Sequence, residues 1–301
     1  MSDYHVPVML EECLKGLNIE PGGTYVDATF GGGGHSRAML EKIKGGNLIA
    51  FDQDPDARKE GDAIQERSFT FCQANFKYLK KYLKLNGVLK VHGILADLGI
   101  SSHQIDSPER GFSTRFDGPL DMRMDKKSPM MAANVLNEYP EEKLHKILGR
   151  YGEVKNAKTL ARTIEQRRNV KKLEQIADLI ELLKPVAPRG KEYKYYAQVF
   201  QALRIEVNQE LEALESFLLQ CGEVMEKGGR LVVISYHSLE DRMVKNYMNT
   251  GKVFGDLEKD FFGNPIKPFQ AVNRKPIEAS EEEVKVNKRS RSARLRVAVR
   301  I

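Results

Sequence analysis

The sequence predicts an α/β protein, a sheet of parallel strands with helices on both faces, interrupted by an inserted all-helical domain. Three observations lead there. Short apolar strands and amphipathic helices alternate four times between residues 24 and 97, and a glycine-rich turn within Thr24 to His35 joins the first strand to its helix. The alternation stops after Ser102, gives way to helical spacing, and resumes with R-L-V-V-I-S-Y from Arg230. Such a pattern sets parallel strands side by side, makes each crossover right-handed and puts ligands at the carboxyl ends of the strands.

Taken in order, Tyr4 to Leu17 places Val6, Met9, Leu10, Cys13, Leu14 and Leu17 close to helical spacing after Pro7, until Pro21-Gly22-Gly23 breaks it. A strand follows at Tyr25, then the glycines, then a helix over Ser36 to Ile43. L-I-A-F-D is a second strand ending at Asp52, and Asp54-Pro55-Asp56 starts the next helix. Phe69 to Gln73 is a third strand. A helix over Phe76 to Leu85 keeps Phe76, Leu79 and Leu83 on one face, and Val91 to Asp97 is the fourth strand.

The insertion opens with a Gly/Pro/Ser/Asp-rich segment, Ser107 to Pro129. Helices are expected over Met131 to Glu138, Glu141 to Arg150, Ala157 to Arg168 and Leu173 to Leu183, the last with one apolar stripe. Helical spacing continues from Tyr196 to Val207 and from Leu211 to Cys221, until Gly228-Gly229 ends the helix and the sheet resumes. Leu239 to Met248 reads as helix, Gly251 to Pro276 as irregular, and Ala293 to Ile301 alternates as an edge strand would. The division is residues 1–105 with 208–301 for the sheet domain and 106–207 for the helical one.

A chain of 301 residues with 41% hydrophobic residues fills a sizeable core. No apolar run approaches the roughly 20 residues of a membrane-spanning helix, and M-S-D-Y-H-V-P lacks a basic region followed by an apolar one, so neither membrane segment nor secretion signal is expected. Cys13, Cys72 and Cys221 are odd in number and far apart in apolar surroundings. Buried thiols in a reducing cytoplasm are expected, with no disulfide framework and no metal cluster. The net charge of +6 is uneven, because Lys285, Lys288, Arg289, Arg291, Arg294, Arg296 and Arg300 face no acidic residue after Glu283. That run suits a polyanion partner, or serves only as a solvated tail.

Spacing narrows the cofactor. The dinucleotide pattern G-x-G-x-x-G fails, because its last position falls on Ser36 counting from Gly31 and on Arg37 counting from Gly32. D-x-x-x-G-x-G fits Asp27, Gly31 and Gly33, the commoner loop of enzymes using S-adenosylmethionine, which has no phosphate and needs close backbone approach. Asp52, about 20 residues beyond the loop, is placed to accept from both ribose hydroxyls, as an acid in nicotinamide enzymes also is. Asp97 closes the fourth strand beside the same crevice as an acceptor for the adenine amine or the methionine ammonium. Phe76 is placed to cover the adenine; a helix cap and a core ring are the plainer readings of those two.

The stretches H-V-P-V-M-L-E-E, D-A-T-F-G-G-G-G-H-S, D-L-G-I-S-S, R-G-F-S, D-G-P-L-D-M-R-M-D, F-Q-A-L-R-I-E-V-N-Q-E-L, S-Y-H-S-L-E-D-R and R-S-A-R-L-R run from His5 to Arg296. In this order they resemble the ribosomal RNA small subunit methyltransferase H family. The resemblance implies a Rossmann-like class I S-adenosylmethionine methyltransferase sheet with the helical insertion, and methylation of the exocyclic N4 of a decoding-region cytidine of 16S rRNA. It implies cofactor contacts at Gly33, Gly34, His35, Asp52, Phe76, Asp97 and Gln104. Of these, His35 reads by itself as a helix-start residue and Gln104 as a solvated loop residue.

Methyl transfer to an amine asks mainly for alignment and exclusion of water, but the cytosine amine needs an acceptor for its N–H because its lone pair is delocalised into the ring. Many amino-group methyltransferases end strand four with Asn, Asp or Ser, then Pro-Pro and an aromatic residue; here Asp97-Leu98-Gly99-Ile100 stands instead. Ser235, Tyr236 and His237 are the catalytic candidates: Tyr236 to stack on the base, His237 to accept or relay the proton or to cap the next helix. Lys158, Arg162, Arg167, Arg168, Lys171 and Lys172, with Arg110, Arg115 and Arg123 and the C-terminal run, offer phosphate contacts. The expected partner is 16S rRNA within the small ribosomal subunit; a homodimer is compatible with the sequence. A nicotinamide-dependent dehydrogenase and a non-catalytic RNA-binding protein are the alternatives.

Overall fold

The computed structural model describes residues 7–301, so His5 and the apolar positions Tyr4 and Val6 lie outside the described residues. The chain forms two compact units, the described part of Met1–Gly99 together with Leu211–Ile301, and Ile100–Glu210.

The first unit is a mixed sheet. Its strands are β1 (Thr24–Asp27), β2 (Asn47–Asp52), β3 (Phe69–Gln73), β4 (Val91–Asp97) and β5 (Met225–Ser235), with five short or late strands after them. These are β8 (Phe269–Ala271), β9 (Ile277–Glu278) and β10 (Arg294–Arg300), preceded by the separate two-stranded hairpin of β6 (Glu258–Lys259) and β7 (Pro265–Ile266). The order is β3-β2-β1-β4-β5-β10-β8, with β9 also on β10. The first five strands are parallel, while β10 runs antiparallel to β5 and to β8.

Helices α1 (Leu10–Leu17), α2 (Gly34–Ile43), α3 (Ala57–Asp62) and α4 (Leu79–Leu85) belong to this unit, as do α12 (Ser238–Thr250) and α13 (Glu281–Val286). Alternate residues of the strands, Tyr25, Leu48, Leu95, Val232, Ile234, Leu295 and Val297, pack with Cys13, Leu14 and Leu17 of α1 and Met39, Leu40 and Ile43 of α2. Burying each such side chain contributes about 1.5–3 kcal/mol. Phe51, one residue out of that phase, meets Tyr82 of α4 edge-on at 6.0 Å, which covers the other face.

The second unit is helical: α5 (Ser102–Asp106), α6 (Ala132–Glu138), α7 (Glu141–Gly152), α8 (Ala157–Arg168), α9 (Ile176–Leu183) and α10 (Glu192–Asn208), with α7 packed on α8 and α10. α9 starts at Ile176, three residues after the predicted Leu173, because the Asp178 carboxylate accepts from the backbone N–H groups of Glu174 and Gln175 and caps it there.

Three expectations fail for physical reasons. Helix α11 (Glu210–Val224) ends before Gly228-Gly229, which instead bulge inside β5: Val91 pairs with Met225, yet Gly93 pairs with Arg230. Gly228 has φ 82, and a Cβ on Gly229 would come 2.8 Å from the His92 carbonyl. The stretch read as irregular contains β6, β7 and β8. β10 is interior rather than an edge, because the arginine that makes it look half-solvated is neutralised inside the protein: Arg296 is buried and grips Asp241 of α12 with Nε to Oδ1 at 2.6 Å and Nη2 to Oδ2 at 3.0 Å.

Candidate active site

Because β1 pairs with both β2 and β4, Asp27, Asp52 and Asp97 end three adjacent strands. Asp27 is committed inside the protein. It accepts from Ser36 Oγ at 2.7 Å and from Thr29 N at 3.1 Å, stapling the two ends of the glycine turn together. Asp52 faces the turn: Gly31 N donates to its Oδ2 at 2.8 Å, and Asp54 N to its Oδ1 at 2.8 Å, so each oxygen keeps a lone pair for a further donor. Asp97 accepts from the Tyr236 hydroxyl at 2.7 Å, and its backbone N–H donates to Thr29 Oγ1 at 2.7 Å. Thr29 and Ser36, side chains within the motif that spacing alone passes over, thus tie the turn to β4 and β1.

The four glycines do different work. Gly31 and Gly33 have φ 54 and 77, and a Cβ on Gly33 would stand 2.6 Å from the Phe30 ring. A Cβ on Gly32 would meet nothing within 4 Å, so the turn presents bare backbone there. On Gly34 it would lie 2.4 Å from Pro7 Cγ, so this glycine admits the N-terminal segment. His35 is buried at the start of α2, and its Nε2 donates to the Val8 carbonyl at 3.0 Å, which puts the ring proton on that nitrogen.

Phe76 opens a short 3-10 turn after β3 and meets Phe217 edge-on, ring centroids 5.1 Å apart, which holds a half-buried ring in place. Gln104 lies in the helical unit, buried on α5, where its Oε1 accepts from Ser101 N at 3.0 Å and its own N–H donates to Ser101 Oγ at 3.2 Å. Gly33, Gly34, His35, Asp52 and Asp97 are therefore gathered around one turn. Gln104 belongs to the other unit.

Burial pushes Asp52 up to about 6, against hydrogen bonds from Asp54 and Gly31 that pull the other way. Burial likewise pushes Asp97 up to about 6, opposed by nearby His35 and by the hydrogen bond from the Tyr236 hydroxyl. At neutral pH both are ionised at a cost. S-adenosylmethionine affinity is therefore expected to fall as pH drops through about 6, by about tenfold per carboxylate at pH 5. Calorimetric titrations between pH 5 and 8 check this; a flat profile refutes it. The linked effect on the cofactor-free protein has the opposite sign, since raised carboxylates favour the fold below their unfolded value and lose that contribution as pH rises through about 6.

The catalytic candidates separate. Ser235 is buried, its Oγ donating to the Arg294 carbonyl at 3.4 Å. His237 is the N-cap of α12, with Nδ1 accepting from Glu240 N at 3.4 Å. That fixes the proton of the neutral ring on Nε2, which lies 3.1 Å from Glu240 Oε1 and has no hydrogen-bond partner of good angle among the described residues. His237 thus caps α12 through Nδ1. Tyr236 is half-buried beside Gly99 with its hydroxyl pinned on Asp97, and burial drives that hydroxyl well above its usual value, so it remains a donor. Tyr236→Phe should weaken cofactor binding by about tenfold and carry the acid limb of the affinity profile to higher pH, since Asp97 loses the donor that lowers it. Titrations across pH check this; an unmoved limb refutes it.

The basic residues separate too. Arg296 is buried on Asp241, Arg300 donates to the carbonyls of Gly222 and Pro268, and Arg110 donates to those of Arg123 and Met124. Arg168 donates to the carbonyls of Leu136 and Tyr139, and Arg123 grips Asp121. These five serve the fold. Lys158, Lys172, Lys285, Lys288 and Arg291 are exposed.

Acids ending adjacent parallel strands, a bare glycine turn held by two of them and a half-buried aromatic beyond the third strand define a class I S-adenosylmethionine-dependent methyltransferase on a Rossmann-like sheet. The chain belongs to the MraW methylase family, whose model matches residues 2–301. A protein of Cytophaga hutchinsonii named ribosomal RNA small subunit methyltransferase H is 60% identical over 297 residues, covering 99% of each chain. One of the same name from Phocaeicola vulgatus is 55% identical, over 98% of this chain and 97% of its own. Another from Amoebophilus asiaticus is 50% identical, over 99% and 96%.

Proposed function

We propose that this protein methylates the exocyclic N4 of a decoding-region cytidine of 16S rRNA, acting in the cytoplasm on RNA of the small ribosomal subunit. The observation that carries the cofactor half is the Asp52 carboxylate, anchored on Gly31 N with acceptor capacity to spare beside the bare backbone of Gly32. The RNA half rests on relatives at 50–60% identity that are named for small-subunit rRNA.

S-adenosylmethionine supplies a methyl group on a sulfonium centre. Asp52 accepts from the ribose hydroxyls; Asp97, oriented by Tyr236 and Thr29, accepts from the adenine amine or the methionine ammonium; Phe76 covers the adenine; Gly33, Gly34 and His35 shape the turn. Tyr236 faces the target base, its ring fixed by the bond to Asp97, while Ser235 and His237 hold the strand end and helix start from which it projects. The helical domain and the exposed lysines and arginines bind phosphates and set register without reading sequence. The test is mass mapping of small-subunit RNA from a deletion strain, before and after adding the purified protein and S-adenosylmethionine. One methyl group gained at a decoding-region cytidine is expected; RNA left unlabelled by a methyl-tritiated donor would overturn the proposal.

A further inference from the structure

Ser280-x-x-Glu283 at the start of α13 has the spacing of a local capping box, in which the glutamate reaches back to the N–H of the serine. Half of it forms: Glu283 N donates to Ser280 Oγ at 3.1 Å. The carboxylate goes elsewhere, its Oε1 accepting from Met9 N at 2.8 Å, 274 residues away in the chain. Met9 is the N-cap of α1, stands at φ 51 without a side-chain cap, and has no oxygen of its own to offer the helix. Glu283 thus does for α1 what a capping-box glutamate does for its own helix, and holds a non-glycine residue in the left-handed region that costs it energy.

The held segment bears on the glycine turn twice. Pro7 occupies the place a side chain on Gly34 would take, and the Val8 carbonyl accepts from His35 Nε2 at 3.0 Å. We infer that Glu283 is a positioning residue for the cofactor turn, locking Pro7–Met9 against Gly34 and His35 from the far end of the chain. The inference rests on the turn being the S-adenosylmethionine site proposed above.

The experiment is calorimetric titration of S-adenosylmethionine into the wild type, Glu283→Ala, Glu283→Gln, His35→Ala and the Glu283→Ala/His35→Ala double variant, with hydrogen exchange of the peptide spanning residues 7–17 as a second readout. Glu283→Ala should weaken binding by about tenfold and speed exchange at Met9, and Glu283→Gln, which keeps an acceptor oxygen, should restore most of both. The double variant should lose less than the product of the two single losses, because both act through one segment. Full multiplicativity, or unchanged affinity in Glu283→Ala while the wild type binds, would overturn the inference alone. Absence of binding by the wild type would overturn the cofactor assignment and the inference with it. Should Glu283→Ala fail to fold, Glu283→Gln set against Glu283→Lys asks the same question of the acceptor.

Discussion

Asp52→Ala is expected to weaken S-adenosylmethionine binding by on the order of 100-fold, with calorimetry as the check. The substitution removes three things together: the acceptors proposed for the ribose hydroxyls, the anchor of Gly31 N and the partner of Asp54 N. Asp52→Asn should recover little, because one of its two positions then presents an N–H to a backbone N–H. Neither variant removes a large apolar side chain, so the melting temperature should move far less than the affinity. Unchanged affinity in Asp52→Ala would end the assignment of this carboxylate to the cofactor.

Arg296→Ala is expected to destabilise the sheet unit by about 3–5 kcal/mol, because it leaves the nearly buried Asp241 carboxylate without its two-bond partner. Arg294 does not replace it, standing 3.6 Å from Asp241 Oδ2 at the exposed end of the strand. A fall in melting temperature on the order of 10 °C should follow, read by calorimetric melting. Replacing both partners by apolar residues of similar volume, Arg296→Met with Asp241→Leu, should restore most of the loss, since no charge is then stranded. A double variant as unstable as the single one would show that the pair contributes more than mutual neutralisation.

These two predictions also mark how far the sequence was legible. β3 and β4 appear with their predicted ends, Phe69–Gln73 and Val91–Asp97, because each is a short run rich in apolar residues between turns, a signal needing no partner to be read. α8 appears likewise over Ala157–Arg168. What misled lay where a residue's meaning depends on a distant neighbour. Arg296 looked like the solvent side of an edge strand and a phosphate contact, and Asp241, 55 residues away, makes it part of the core. Gly228-Gly229 looked like a helix stop, and the neighbouring strand at His92 makes it a bulge.

By itself the sequence determined the strand–helix alternation, the glycine turn at the end of the first strand and the acids at the ends of the second and fourth. Each is a local property: hydrophobic period, positive φ at glycine, and position relative to a strand end. Only the tertiary structure decided that Asp27 staples the turn while Asp52 faces it, that Tyr236 orients Asp97, that His237 caps a helix, and that Gly34 is bare to admit Pro7. The physical reason is common to all four. A carboxylate, a hydroxyl, an imidazole or an absent side chain acquires its role from the donor, acceptor or atom that folding brings within about 3 Å, and chain spacing does not encode that distance.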